Sequence, residues 1–201
     1  KLMGLTMKVM PDDELPAGKK VTSWMSHDIF SARRVCRILG IPHLTVDLSR
    51  EFEKKIIDPF CAEYLKGRTP NPCVECNRHI KFGALLDAAK RLGARRMATG
   101  HYCRVERLEN GKYAVFKGRD RVKEQSYVLW RLSQGQLSRT LTPLGELTKE
   151  EVRDMSGELL PFLKNREESQ DICFISGDRY HDFLESRIED TGKGKILDTK
   201  G

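Results

Sequence analysis

No apolar run exceeds a few residues, so no segment reads as a bilayer-spanning helix. The opening residues Lys1 to Met10 include an apolar stretch but no small-residue cleavage site, which argues against a secretory leader. Six cysteines spread unevenly over 201 residues do not make a disulfide scaffold. Thiols in such a pattern suit a reducing compartment, here expected to be cytoplasmic, and point to catalysis or metal binding. No phosphate-cradling glycine loop is present, neither G-x-x-x-x-G-K-[ST] nor G-x-G-x-x-G. Gly192-Lys-Gly-Lys195 has no helix after it to serve that purpose. There is no internal repeat and no low-complexity tract. What the chain does have is globular composition, with 39% hydrophobic and 32% charged residues. Lys and Arg number 36 against 29 Asp and Glu, a net charge of +7 that favours a polyanionic partner such as nucleic acid.

Hydrophobic periodicity places the elements. Residues 2–10 read as a strand buried on both faces, followed by a loop over 11–20. Ala32, Val35, Cys36 and Leu39 fall at helical spacing, and Gly40 then Pro42 stop that helix. His43 to Leu48 is a second strand. Phe52, Ile56, Phe60 and Tyr64 mark a second helix, bent at Pro59. Ile80, Ala84, Leu85, Ala88 and Leu92 mark a third, closed by Gly93, and Arg96 to Thr99 is a short strand. This alternation predicts an α/β fold, a parallel sheet with crossover helices. A hairpin follows over 103–117, with Asn110-Gly111 as its two-residue turn. Residues 124–165 read as helical, including a Thr148–Glu151 capping box ahead of Val152, Met155 and Leu159. Residues 168–175 read as extended, Tyr180, Phe183, Leu184 and Ile188 as one more helix, and 192–198 as a turn entering a strand.

The densest chemistry lies in Arg68-Thr-Pro-Asn-Pro-Cys-Val-Glu-Cys-Asn-Arg-His79. Two prolines stiffen this loop, and Cys73 and Cys76 sit just ahead of a helix with Asn77 as the expected N-cap. There the helix dipole, Arg78 and His79 would lower a thiol's pKa. The C-x-x-C spacing suits a redox pair and a structural zinc half-site equally, although no second ligand pair completes four ligands. Cys173, between Ile172 and Phe174, reads by itself as a buried core thiol, and Cys36, Cys61 and Cys103 read as packing residues. Thr99-Gly-His-Tyr102 follows a strand, where parallel sheets present ligand loops, and Gly100 would let a ligand approach the backbone. By itself His101 reads as a surface residue in a turn. Lys117 to Arg131 holds five basic and two acidic residues with Tyr127 and Trp130, suited to phosphates and bases or simply to a solvated helix face.

Four blocks in order, Gly67-Arg-Thr-Pro-Asn-Pro-Cys-Val-Glu-Cys-Asn77, Ala98-Thr-Gly-His-Tyr102, Lys123-Glu-Gln-Ser-Tyr127 and Glu168-Ser-Gln-Asp-Ile-Cys-Phe174, resemble the tRNA-specific 2-thiouridylases (tRNA-uridine 2-sulfurtransferases). The resemblance covers almost the whole chain. It implies an ATP-pyrophosphatase-type (adenine nucleotide alpha hydrolase-like) α/β domain, here over 1–176, with 177–201 the start of a small central domain. It implies ATP, with Mg²⁺, activating C2 of the wobble uridine of tRNA, and a sulfur displacing AMP. By the same resemblance Cys76 is the nucleophile and Cys173 the persulfide carrier, fed by a cysteine desulfurase or a relay protein. Met7 and Gly100 match nucleotide-binding positions. Asn71, Pro72 and Cys73 match the loop facing the target base, and His101, Lys123, Glu124 and Gln125 match tRNA-contacting positions.

Relative to that family the chain looks incomplete at both ends, lacking the first strand with its Ser-Gly-Gly-x-Asp-Ser phosphate loop and the C-terminal β-barrel. Residues 20–27 lack the family's cysteine pair, Glu124 stands where Asp is usual, and Leu159-Leu-Pro161 is one residue short. Two further readings of the thiols stay open. Cys73, Cys76 and Cys173 would suit three ligands of an iron–sulfur cluster performing the same reaction. Alternatively the C-x-x-C would be structural in a non-enzymatic zinc- or redox-responsive RNA-binding module.

Overall fold

β1 (Gly4–Lys8) and β2 (His43–Asp47) run parallel, with Gly4 opposite His43 and Lys8 opposite Asp47. The helix Trp24–Ile38 crosses between them. It packs so closely that a Cβ at Gly4 would lie 2.3 Å from Cys36 Sγ, which is why the strand opens on glycine. Gly40 ends the crossover at φ 65°, the left-handed conformation that glycine adopts without strain. These features belong to a computed structural model that describes residues 1–11, 24–163, 172–175 and 180–188, with side chains in the first helix from residue 28. β1 is shorter than the predicted strand over 2–10, and its residues are half-buried rather than enclosed on both faces.

A second parallel pair joins β3 (Met97–Ala98) to β6 (Thr140–Leu141). The α/β prediction of parallel strands with crossover helices therefore holds, as two separate parallel pairs among the described residues. β6 falls within the stretch read as helical, because a two-residue strand leaves no periodicity to detect. That stretch consists mostly of single turns, Ser126–Val128, Gln134–Leu137 and Pro143–Glu146, before the helix Lys149–Leu159. The predicted Thr148–Glu151 capping box starts that helix: Thr148 Oγ1 accepts from Glu151 N, and the Glu151 carboxylate accepts from Thr148 N.

The antiparallel hairpin is β4 (Cys103–Arg107) with β5 (Tyr113–Lys117). Its turn differs from the expected two-residue Asn110-Gly111 loop. Gly111 N donates to Leu108 O, Leu108 N to Lys112 O, and only Gly111 has a positive φ. A type I turn followed by a left-handed glycine is the three-residue alternative.

Two long helical stretches carry the core, and each changes winding midway. The first runs Ser49–Phe52, then π-helical Glu53–Ile57, then Asp58–Leu65. Pro59 sits in the first turn of that last segment, so the wide turn absorbs the missing N–H without breaking the helix. The second runs Pro72–Glu75, π-helical Cys76–Leu85 and Leu86–Arg91. Phe52, Ile56, Phe60, Cys76 and Ile80 form one core, which the separate stretch 172–175 joins through Phe174. The predicted helix is present as Tyr180–Glu185, and its Leu184 joins the same core while Phe183 packs against it. A second core gathers Phe82, Cys103, Val128, Leu129, Leu132 and Leu137. Cys36 and Cys103 pack as expected, and Cys61 is half-buried. Residues 168–171 and 192–198 lie outside the described residues; of the predicted extended segment, 172–175 form a turn closed by Ile175 N donating to Ile172 O.

The turn Pro143–Glu146 is pressed against β4, and a Cβ at Gly145 would come within 2.3 Å of the Cys103 carbonyl oxygen. Backbone in a paired strand cannot retreat as a flexible side chain would. Gly145→Ala is expected to lower stability by about 1–3 kcal/mol, read as a shift in the denaturant midpoint with an unchanged m-value.

Candidate active site

The thiol-bearing helix begins six residues earlier than the sequence suggested. Asn71, not Asn77, is the N-cap: its Oδ1 accepts from Cys73 N at 3.1 Å, and Pro72 occupies the first helical position, where no N–H is needed. Cys73 and Cys76 therefore lie inside the helix rather than ahead of it. Asn77 is buried, with Nδ2 donating to Val128 O at 3.2 Å.

At Cys76 the winding becomes π-helical, and the Leu86 N–H reaches back five residues to Lys81 O. In an α-helix residues five apart point about 140° away from each other. In a π-turn they fall close to one face. The change sets Lys81 one turn beyond Cys76 on the same side, which helical spacing in the sequence does not reveal. Gln136 supports the wide turns by donating Nε2 to the carbonyls of Arg78 and Phe82, at 2.8 and 2.9 Å. Gly83 keeps the interior clear, since a Cβ there would stand 3.1 Å from Arg78 O.

Folding brings Cys173 to the same place. Its neighbour Phe174 packs in the same core as Cys76, and charge on Cys73 acts on both Cys76 and Cys173. Cys76 is buried, and burial pushes its thiol up to about 12, opposed by Lys81 and reinforced by Cys173 and Cys73. The expected lowering by the helix dipole is thus overturned at Cys76, because desolvation outweighs it. Cys173 is not the sealed core thiol that its apolar neighbours suggested. Its side chain reaches solvent while Phe174 is buried, although the surrounding protein still pushes its thiol up to about 11. All six cysteines are free thiols.

A cleft of about 1300 Å³ opens between β1 and β3. At the carboxyl ends of these strands it is lined by Met7, Thr99, Gly100, His101, Lys81 and Gln125. Lys81 therefore lines the cleft and acts on both thiols, as well as on His101. His101 is buried rather than on the surface, with Nδ1 2.9 Å from Thr99 Oγ1, and burial first, then Lys81, bring its pKa down to about 4. Gln125 is locked to the loop after β3: its Oε1 accepts from Tyr102 N, and its own N donates to Tyr102 O, both at 3.1 Å. Lys123 and Glu124 lie in the turn leading to it, where Glu124 accepts from Ser126 N. Met7, Gly100, His101 and Gln125 thus share the cleft. Asn71, Pro72 and Cys73 lie at the start of the thiol helix, and Lys123 and Glu124 are outside the cleft lining. Glu75 is held by Arg131, which comes from the basic segment and anchors it to this helix.

The family described as tRNA methyl transferase HUP domain matches residues 1–177. The chain belongs to this family. Its members have the ATP-pyrophosphatase-like α/β fold, in keeping with the parallel strands and crossover helices described above. The chain is 49% identical over 203 residues to a tRNA-specific 2-thiouridylase of Thermoanaerobacter sp. (strain X514), covering 100% of this chain and 56% of that protein. It is 45% identical to the tRNA-specific 2-thiouridylase of Carboxydothermus hydrogenoformans and 43% identical to that of Moorella thermoacetica, again over the whole chain and 56% and 57% of those proteins. The resemblance drawn from the four motif blocks is borne out, and the chain spans little more than half the length of these relatives.

The donor set fits some groups of that family and not others. An apolar Met7, an open glycine at 100, Lys81 and the polar side chains of Thr99, His101 and Gln125 suit an adenine nucleotide at the carboxyl end of the sheet. Among the described residues no Asp or Glu lines the cleft, so none of them offers a carboxylate to Mg²⁺ there. Among the described residues no three His, Cys, Asp or Glu side chains converge as a metal site requires. Cys73, Cys76 and Cys173 are all described, and they do not converge as ligands of an iron–sulfur cluster or of zinc. No helix among the described residues is long and apolar enough to cross a membrane.

The neutral, buried His101 has a consequence for acid stability. An unfolded histidine takes up a proton near pH 6.5, whereas the folded one resists until about 4, so the unfolded state binds more protons in that window. Stability is expected to fall by about 3 kcal/mol between pH 6.5 and 4. His101→Asn, which keeps a polar atom near Thr99, should flatten that slope in denaturant titrations at each pH.

Proposed function

We propose that this chain is the nucleotide-binding and catalytic unit of an ATP-dependent tRNA-uridine 2-sulfurtransferase. The observation that carries the reading is that the stretch bearing Cys173 packs through Phe174 on the core that holds Cys76, near a lysine that also lines the cleft. ATP, as co-substrate, supplies the adenylyl group that turns the C2 oxygen of the wobble uridine into a leaving group. Met7 and Gly100 hold the nucleotide. Asn71, Pro72 and Cys73 face the base, and His101, Lys123, Glu124 and Gln125 contact the tRNA. The base is turned out of the anticodon stack towards the rigid proline-bearing loop.

The thiols then divide the work. A cysteine desulfurase or relay protein delivers sulfur to Cys173 as a persulfide, whose outer sulfur bonds to C2 as AMP leaves with the C2 oxygen. The Cys76 thiolate attacks Cys173 Sγ, breaking its bond to the outer sulfur, which stays on the base as 2-thiouridine. The resulting Cys76–Cys173 disulfide is reduced by an external dithiol, which takes up the oxidation and returns two thiols. Lys81 steadies the thiolates from across the helix turn. High thiol pKa values keep the resting pair protonated until a substrate changes their surroundings.

The finer fold reading follows the same line. Consecutive residues of β1 and of β3 line the cleft, so one edge of each strand faces it. A parallel strand between these edges would join the two pairs into one sheet and place a phosphate loop at the cleft's carboxyl end. That is an ATP-pyrophosphatase sheet lacking its first strand and loop, over 1–176, with 177–201 opening a small central domain. The enzyme works in the cytoplasm.

In a protein of the relatives' full length, Cys76→Ser and Cys173→Ser are each expected to abolish 2-thiouridine formation while leaving tRNA affinity within about twofold. Mass spectrometry of digested tRNA and a binding titration measure both. Thiolation at the wild-type rate by either variant would remove the mechanism. Lys81→Met should slow sulfur transfer about 10- to 100-fold, as loss of a charge-stabilising group does, with Lys81→Arg recovering part of it.

A further inference from the structure

The thiol helix has a second working face. Opposite the cleft, Arg78, Lys90 and Arg91 line a groove of about 750 Å³ together with Lys55 from the 49–65 helix and Arg139 from the segment before β6. Two carboxylates, Glu51 and Asp87, also reach it, so five full positive charges face two negative ones. Only Lys90 is neutralised locally, by Asp87 at 2.9 Å; Lys55, Arg78 and Arg91 make no ion pair among the described residues. Lys55, Lys90, Arg91 and Arg139 are exposed, and Arg78 is half-buried. From Arg78 to Arg91 the helix extends roughly 20 Å, the reach of several successive phosphates. The field is felt nearby: after burial, Arg78 and Lys55 are among the groups that hold the pKa of His79 down.

We propose that this groove binds the ribose-phosphate backbone of the tRNA, away from the base under modification. The proposal rests on the sulfurtransferase reading, which requires a folded RNA large enough to reach both faces of one helix. Arginines and lysines spread along a groove, with no exposed Phe, Tyr or Trp among the described residues of its lining, suit phosphates rather than stacked bases. The grip is sequence-independent and weakens steeply with salt. It fixes how the RNA lies on the protein, while the cleft and thiols on the other face of the helix select and modify the base.

Binding of fluorescently labelled tRNA to the 201-residue chain, followed by anisotropy from low to moderate salt, tests this. The paired substitution Arg78→Gln with Arg91→Gln is expected to weaken binding about tenfold near 0.1 M salt and to reduce the salt slope by about two. Asp87→Asn, an exposed change of opposite sign, should tighten binding, and it keeps the proposal open to refutation if the double variant proves unstable in a thermal melt. Unchanged affinity and slope in both variants, with wild-type binding intact, would overturn the groove and leave the sulfurtransferase reading standing. Loss of binding to an acidic protein partner, with tRNA affinity unchanged, would also overturn it and move the groove to that partner. No tRNA binding by the wild-type chain, together with none by a full-length protein, would sink both the groove and the function it rests on.

Discussion

The winding of one helix decides where the chemistry sits. Over Cys76–Leu85 the backbone closes five-residue turns, and this rotation places Cys76 and Lys81 on one side while Cys76, Ile80 and Leu85 stay in the core. An α-helix of the same sequence would turn Lys81 away from the thiol by about 140°. The wide winding is held from outside, by the Gln136 amide on the Arg78 and Phe82 carbonyls, and from within by the absence of a side chain at Gly83. Neither support is local to the thiols, and Gln136 comes from a different segment. The site is therefore a property of tertiary packing, not of the Cys-x-x-Cys segment alone.

Burial and charge pull against each other there. Desolvation raises both thiols well above an ordinary cysteine, and the neighbouring sulfurs raise them further, while Lys81 is the cation acting on both in opposition. The same lysine and the same loss of water hold His101 neutral across the cleft. One ammonium group thus acts on Cys76, Cys173 and His101 together, so an anion entering the cleft would alter all three at once. Burial of Cys76 also guards its sulfur against casual oxidation, while Cys173 stays exposed.

Much of the fold was legible because its signals are local. The crossover helix ending at Gly40, the strand at 43–47, the hairpin positions and the Thr148–Glu151 capping box each depend on residues a few positions apart. Misses came where partners are distant or elements are minimal. The two-residue β6 is defined only by pairing with β3. Asn77 looked like a cap because its type suits one, yet it is buried and donates to Val128, far along the chain, while Asn71 performs the capping. Motif resemblance marked Met7, Gly100, His101 and Gln125 separately, and the fold sets all four around one cleft. Lys81 and Gln136 carried no mark, since their positions matter only once the helix has widened. Cys173 shows the reverse error, an apolar sequence context that in space leaves the residue exposed.

The central proposal is that Cys76 and Cys173 can exchange sulfur with each other. Mild oxidation of the purified protein with diamide, followed by non-reducing digestion and mass spectrometry, tests it without tRNA or ATP. A peptide linking Cys76 to Cys173 as the dominant crosslink is the predicted result. Crosslinks formed only between other cysteines, with Cys76 and Cys173 never joined, would contradict the account.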